Sequence, residues 1–145
     1  MDALDHAILE HLKFDGRSSM QDLSELTGLS RSAVFTRVKR LEDQGVITGY
    51  TVRLDRKKLG KEIHAYCNVS LKLHERELLE EFEGAIGRHR EVRACYHLTG
   101  EFDYLVEVEV ANMDAYHRFI TQSLAAMPNI ATVQSMFVMK DILTP

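Results

Sequence analysis

The stretch that decides the fold of the front part of the chain is GLSRSAVFTRVKRLEDQG, Gly28 to Gly45. Ser30 is placed to cap the start of a helix, and Gly45 to end that helix in a left-handed conformation. Val34, Val38 and Leu41 fall within a narrow arc of the helix, so they are predicted to face the core. The opposite arc is expected to be exposed, and it carries Ser32, Thr36, Lys39, Arg40 and Asp43, with Arg31 in the first turn.

Two further helices are predicted before this stretch. The first follows from apolar residues at helical spacing, Leu4, Ile8, Leu9 and Leu12, and Asp15-Gly16 ends it. The second begins after Ser19, whose hydroxyl can cap the amide of Asp22, and it is expected to bury Leu23 and Leu26. A short turn with a glycine, residues 27–29, separates the second helix from the third, which is typical of a helix-turn-helix.

The third helix is interpreted as one that enters the major groove of DNA. Charge alone favours an ordinary solvated helix, because surface helices commonly carry Lys and Arg. Three features favour the DNA-binding interpretation over the solvated helix: the helix-turn-helix spacing, the absence of acidic residues over 31–40, and the small Ser32 and Thr36 on the exposed arc. Arg37 is expected to reach a phosphate or an internal acid, and Phe35 to flank the core. The predicted DNA-binding residues are Ser30, Arg31, Ser32, Thr36, Arg37, Lys39 and Arg40.

The formal net charge of −4 does not oppose DNA binding, because the charge is unevenly distributed. Residues 1–58 sum to about +1 and the remaining residues to about −5. Local charge decides where a phosphate backbone can lie.

Composition excludes several classes of protein. No apolar run approaches the ~20 residues of a membrane span, and the N-terminus has no secretory pattern, so a cytoplasmic protein without membrane contact is expected. Cys67 and Cys95 are expected to be packed thiols, and the seven histidines have no metal-ligand spacing. Because no catalytic motif is present, neither an enzyme nor a resident metal or cofactor is predicted.

After Gly45, the sequence VITGYTVRLD favours a strand or a short extended arm. The basic segment RKKLGKE, residues 56–62, is interpreted as a linker. Residues 1–55 are thus predicted to be a helix-turn-helix domain of winged-helix-like form, and residues 63–145 a second domain.

The second domain has the order β-α-β-β-α-β. Strands are predicted at 64–73, 92–99, 104–110 and 130–139, and helices at 75–88 and 113–127, the latter starting near Asn112. Alternation in the first strand puts Ala65, Cys67, Val69, Leu71 and Leu73 on one face. This order predicts an α+β, ferredoxin-like fold with both helices on one face of an antiparallel sheet. The other face is either solvated or pairs with its copy in a homodimer.

Over essentially its full length the chain resembles the Lrp/AsnC (leucine-responsive, or feast/famine) transcriptional regulators. The segments that carry the resemblance are ALDHAILEHLKFDGR, GLSRSAVFTRVKRLEDQGVITGYTVRLD, KKLG, YHLTGEFDYLVEVEVANMDAYHRF and MPNIATVQSMFVM. The resemblance implies that the N-terminal domain binds double-stranded operator DNA. It also implies that the C-terminal RAM domain dimerises through its sheet, that dimers assemble further, commonly into octamers, and that an amino acid, such as leucine or another small one, binds between dimers.

The family's effector segment falls on two parts of this sequence, as the resemblance implies. The effector-binding residues would be Leu98, Thr99, Gly100, Phe102, Asp103, Ala131 and Thr132. Asp103 could receive the ammonium of an α-amino acid, whereas the residues alone, without the resemblance, favour a cap of its own hairpin turn. Where the family often has Pro-Gly-Val, this chain has Pro128-Asn129-Ile130, and Asn tolerates the left-handed conformation expected there.

The sequence therefore predicts a sequence-specific DNA-binding transcriptional regulator that responds to a small amino acid. One alternative is an architectural protein that compacts DNA with little sequence preference. A less favoured alternative is a small-molecule or metal-binding protein built on the βαββαβ domain alone.

Overall fold

A computed structural model describes residues 1–143 of the chain. The chain forms two compact units, one spanning Met1–Arg53 and the other beginning at Leu54. Within the described residues, no helix is both long enough and apolar enough to cross a membrane.

The N-terminal unit is a three-helix bundle. Its helices are α1 (Ala3–Phe14), α2 (Met20–Thr27) and α3 (Arg31–Asp43). Ser19 caps α2 by accepting a hydrogen bond from the amide of Asp22, and Ser30 caps α3, as predicted. The core of the bundle consists of Ile8, Leu23, Val34 and Val38, with Leu41 also fully buried.

A buried carboxylate connects α1 to α3. The side chain of Asp5 is 1% exposed, and both of its oxygens lie 2.8 Å from Nη2 of Arg40. Nη1 of Arg37 also donates to Asp5 at 2.8 Å and to Asp2 at 2.7 Å. Hydrogen bonds from the amide of Asp5 and from Arg37 lower the pKa of Asp2 to about 2. The pKa of Asp5 is also lowered, first by the amide of Asp2, although burial opposes the shift.

The C-terminal unit is an antiparallel sheet with two helical segments on one face. The strands are β1 (Ile63–Leu71), β2 (Val92–His97), β3 (Tyr104–Val110) and β4 (Ile130–Phe137), in the order β2-β3-β1-β4. The helices are α4 (Arg76–Ile86) and α5 (Met113–Arg118), which continues into a π-helix (Phe119–Leu124). The predicted α+β, ferredoxin-like class is confirmed.

The core of this unit lies between the helices and one face of the sheet. Ala65, Cys67 and Val69 of β1 are fully buried there, with Val106 and Val108 opposite them on β3. Both thiols are free, and burial raises the pKa of Cys95 to about 11. The two cysteines are therefore packed thiols, as the sequence suggested.

The predicted and observed elements differ mainly at their ends: β2 ends at His97 rather than at residue 99, and β4 at Phe137 rather than at residue 139. Residues 46–55 contain no strand, which leaves the arm, the other form predicted for VITGYTVRLD. Leu73 lies beyond the end of β1 and is 54% exposed, and Leu26, on the solvent side of α2, is 49% exposed. The last helix ends at Leu124 rather than at Met127, after changing from α to π geometry at Phe119.

Asp5→Asn is expected to destabilise the N-terminal unit by about 1–2 kcal/mol at neutral pH, because it leaves two guanidinium groups without their buried counter-charge. Chemical unfolding followed by circular dichroism measures the change. Glu10→Gln on the same helix is the matched control, since Glu10 forms only an exposed pair with Lys13. Equal stability of the two variants would show that the Asp5 contacts do not hold α3.

Candidate DNA-binding surface and ligand-binding loops

The exposed side of α3 carries most of the residues predicted to bind DNA. Ser30, Arg31, Ser32, Thr36, Lys39 and Arg40 are exposed, and Arg37 is partly buried. Phe35 was expected to flank the core, but its side chain is 59% exposed and stands beside this surface. Its position on the helix, about a quarter-turn from the buried arc, leaves it without a helix to pack against.

Hydroxyl groups on α3 are already partly hydrogen-bonded. Oγ of Ser30 accepts from the amide of Ala33 at 3.3 Å and lies 3.1 Å from Oγ of Ser32. Oγ1 of Thr36 donates to the carbonyl of Ser32 at 2.9 Å. Because its proton is used within the helix, Thr36 presents acceptor lone pairs and a methyl group to whatever approaches.

The four basic residues of α3 differ in what holds them. Arg37 and Arg40 both form ion pairs with Asp5 of α1. Asp5 is therefore the internal acid that was predicted as one of two partners for Arg37. Lys39 pairs with Asp43 at 2.9 Å along the exposed side, which raises the pKa of Lys39. Arg31 forms no ion pair with any residue from 1 to 143. The side chain of Arg40 stays 47% exposed, so one edge of its guanidinium still faces solvent.

In the C-terminal unit, the two segments of the predicted effector site flank the same end of β1, one on each edge of that strand. The amide of Asp103 donates to the carbonyl of Val69 at 2.9 Å on one side of β1. On the other side Thr132 pairs with Ser70 in the sheet register. Gly100 lies in the hairpin with φ 118°, a conformation that L residues rarely adopt. The topology therefore places the residues 98–103 and 131–132 around the same strand end.

Asp103 binds groups outside its own hairpin. Its Oδ2 accepts from the amide of Leu71 at 2.7 Å, and its Oδ1 lies 2.9 Å from Nε2 of His74. Partial burial raises the pKa of Asp103, but the Leu71 amide and the His74 imidazole outweigh it, so the pKa lies below its usual value. The side chain thus caps the end of the neighbouring strand β1 rather than its own turn.

The side-chain contacts of two residues of this region were not predicted from the sequence, those of His74 and of Asn129. Asn129 has φ 69°, as its position after Pro128 predicted. Its Oδ1 accepts from the amide of Leu73 and its Nδ2 donates to the carbonyl of Leu73, both at 2.8 Å. The loop after β1 is therefore held from both sides, by Asp103 and by Asn129. The only signal in the sequence was that His74 closely follows a predicted strand.

The open face of the sheet holds a charged cluster that the spacing of the histidines did not reveal. Donor atoms of His64, Glu107 and Glu109 lie within 4.8 Å of one another, and Nε2 of His64 is 2.8 Å from Glu107. Glu109 is 6% exposed. The carboxylates are flanked at 3.6–3.7 Å by three cationic side chains, Arg56, Lys61 and Arg93. These three positive charges oppose a divalent cation at the cluster.

Two family models match the chain, one for each unit. The model described as winged helix-turn-helix DNA-binding matches residues 1–48, and the model described as Lrp/AsnC ligand binding domain matches residues 64–144.

Individual relatives are similar over nearly the whole chain. The Bkd operon transcriptional regulator of Pseudomonas aeruginosa is 36% identical, covering 99% of this chain and 94% of the relative. The leucine-responsive regulatory protein of Salmonella typhimurium is 32% identical, covering 98% and 87%. A Neisseria meningitidis transcriptional regulator solved in complex with L-methionine superposes with a TM-score of 0.95 at 32% identity, covering 99% and 93%.

Proposed function

Because the chain belongs to the Lrp/AsnC family and is a DNA-binding transcriptional regulator, we propose that α3 reads its operator and that a small amino acid bound by the C-terminal unit controls binding. The observation that supports operator reading by α3 is the exposed side of this helix, where small hydroxyl side chains are bordered by cations. Such a surface allows the helix backbone to approach the floor of the major groove.

The proposed DNA contacts fall into two groups. Ser32 and Thr36 lie at the centre of the exposed surface and contact base edges. Thr36 does so as an acceptor, or through its methyl group against a thymine methyl, since its proton is donated within the helix. The phosphate contacts come from the N-terminus of the helix and from the cations, namely Ser30, Arg31, Arg37, Lys39 and Arg40. Among these, Arg37 and Arg40 act from fixed positions, because Asp5 holds both guanidinium groups.

The proposed effector site is the end of β1 that residues 98–103 and 131–132 flank. Its residues are Leu98, Thr99, Gly100, Phe102, Asp103, Ala131 and Thr132. The Asp103 carboxylate receives the α-ammonium of the amino acid, and Gly100 leaves room for a close approach of the backbone. Two relatives support an amino acid as the ligand, since one is named leucine-responsive and another was solved with L-methionine.

We further propose a homodimer that assembles into a higher oligomer, with the open face of the sheet as the dimer contact. Tyr96 and Met136 lie on that face and are 54% and 43% exposed. Two copies would place two α3 helices on one operator, and an effector between dimers would favour one assembly over another. A cytoplasmic location follows from the need to reach DNA.

Arg31→Ala is expected to weaken binding to all DNA sequences and to reduce the slope of log affinity against log salt by about one unit, because one phosphate contact is lost. Fluorescence anisotropy with a duplex selected by the protein, over a series of salt concentrations, measures both effects. Arg118→Ala, an exposed arginine of α5, is the control. A wild-type affinity that does not depend on salt would refute the phosphate contacts.

Thr36→Val and Thr36→Ser are expected to change the preferred DNA sequence in different ways. The first keeps a methyl group and removes the hydroxyl, and the second does the reverse. Selection from a random duplex pool, followed by sequencing, identifies the base pair whose preference changes and which group reads it. If both variants select the wild-type sequence, Thr36 does not read a base. If the wild type itself selects no sequence, the architectural alternative replaces specific regulation.

L-leucine or L-methionine is expected to raise the unfolding temperature of the full chain, because a ligand bound only by the folded state stabilises it. At a hundredfold excess over its dissociation constant the stabilisation is about 2.7 kcal/mol. Asp103→Asn should remove most of the shift, whereas Asp114→Asn, an exposed carboxylate on α5, should keep it. No shift with any amino acid of a complete panel would contradict the sensor function and leave DNA binding unaffected.

A further inference from the structure

The Asp103 carboxylate already has an internal partner at the position where an ammonium group would bind. Its Oδ2 accepts from the amide of Leu71, which fixes the orientation of the carboxylate and leaves Oδ1 without a backbone partner among the described residues. Nε2 of His74 lies 2.9 Å from that same Oδ1. The carboxylate is 20% exposed and the imidazole 58% exposed, so the histidine covers the carboxylate from the solvent side.

An imidazolium and an α-ammonium need the same acceptor. Both are cations whose like charges repel one another, and the imidazole already stands on the solvent side of Oδ1, where a ligand would approach. Asp103 is fixed by the backbone of β1, whereas the exposed side chain of His74 is free to rotate toward solvent. The histidine is therefore the group that moves when a second cation arrives.

We propose that His74 competes with the amino-acid effector for Asp103, so that effector binding displaces the imidazole and is weaker at acid pH. The inference rests on the proposed effector site and adds a residue and a regulatory input to it. His74 is a positioning residue here, since it acts on the ligand only through Asp103.

The sign of the pH dependence follows from the charge of the competitor. Imidazole groups ordinarily gain their proton near pH 6.5, while the α-ammonium of a free amino acid keeps its charge across the same range. Acid therefore strengthens the His74–Asp103 ion pair without changing the ligand. As the pH rises, the imidazole becomes neutral and the ammonium gains the advantage. Binding near pH 6.5 should then release part of a proton from the protein.

A second imidazole, His97, also acts on Asp103 and must be separated from His74. The charge of His97 contributes to the lowered pKa of Asp103. However, Nδ1 of His97 lies 3.7 Å from Glu83, and its ring stacks on Tyr104 with centroids 4.6 Å apart. His97 is thus held on the helix side of the sheet, and a substitution at His74 leaves it in place.

The test is isothermal titration calorimetry of the full chain with L-leucine and with L-methionine. Titrations at about pH 5.5 and about pH 7.5, on either side of the ordinary imidazole range, give the affinities. A further titration near pH 6.5, in two buffers of different ionisation enthalpy, counts the protons released. The wild type should bind roughly threefold to fivefold more weakly at the lower pH, the range for a partly exposed ion pair.

Two variants test whether the pH dependence of binding comes from His74. His74→Ala should lose most of the pH dependence, bind more tightly than the wild type at the lower pH, and release fewer protons, with only the weaker influence of His97 remaining. His117→Ala, an exposed histidine on α5, should behave like the wild type. Light scattering at both pH values checks that the assembly state is the same, so that a change in oligomer is not read as a change in affinity.

The contrary outcomes are distinct from one another. If the wild type binds equally at both pH values, or if His74→Ala keeps the pH dependence, the competition is refuted while the effector site stands. If neither of these two amino acids binds at millimolar concentration, the same titration is extended to a complete amino-acid panel, and if no member binds at either pH, the proposed effector function fails and the competition fails with it.

Discussion

Burial of one carboxylate, that of Asp5, is the constraint on which the DNA-binding unit depends. A carboxylate that is 1% exposed requires cationic or hydrogen-bond partners, and α3 supplies two guanidinium groups. The apolar contacts among Ile8, Leu23 and Val34 set the distance between the helices, but such contacts are not directional. The ion pairs add direction, because they fix the rotation of α3 about its own axis. That rotation decides which side chains face outward.

The C-terminal unit uses polar side chains in a comparable way, around its central strand. β1 is paired on both edges, and its end is held by Asp103 on one side and by Asn129 on the other. Both side chains bind backbone groups, so a loop without regular structure has a defined position. This arrangement brings the hairpin and the start of β4 to the same end of β1, where the proposed effector site and His74 lie.

Much of this structure could be predicted from local patterns. Helical periodicity located α3 and its buried arc, and strand alternation together with Asn129 located the sheet and its last turn. Contacts between distant residues could not be predicted in this way. Asp5 and Arg40 are 35 residues apart, and Asp103 and His74 are 29 apart, so neither pairing has a periodic signature. Exposure of Phe35 and Leu26 was missed for a related reason, since their helices offer them no neighbour to pack against.

The use of two arginines in an internal ion pair also has a kinetic consequence. A protein searching a genome is slowed by every phosphate contact that it can form on any sequence, because such contacts lengthen each stay on the wrong site. Here Arg37 and Arg40 are paired with Asp5 and Asp2, and Lys39 with Asp43, so their charge is partly neutralised and the general attraction of one chain for DNA would be reduced. A single unit would then dissociate readily from non-cognate sites. Long residence would depend on several copies engaging one stretch of DNA at once.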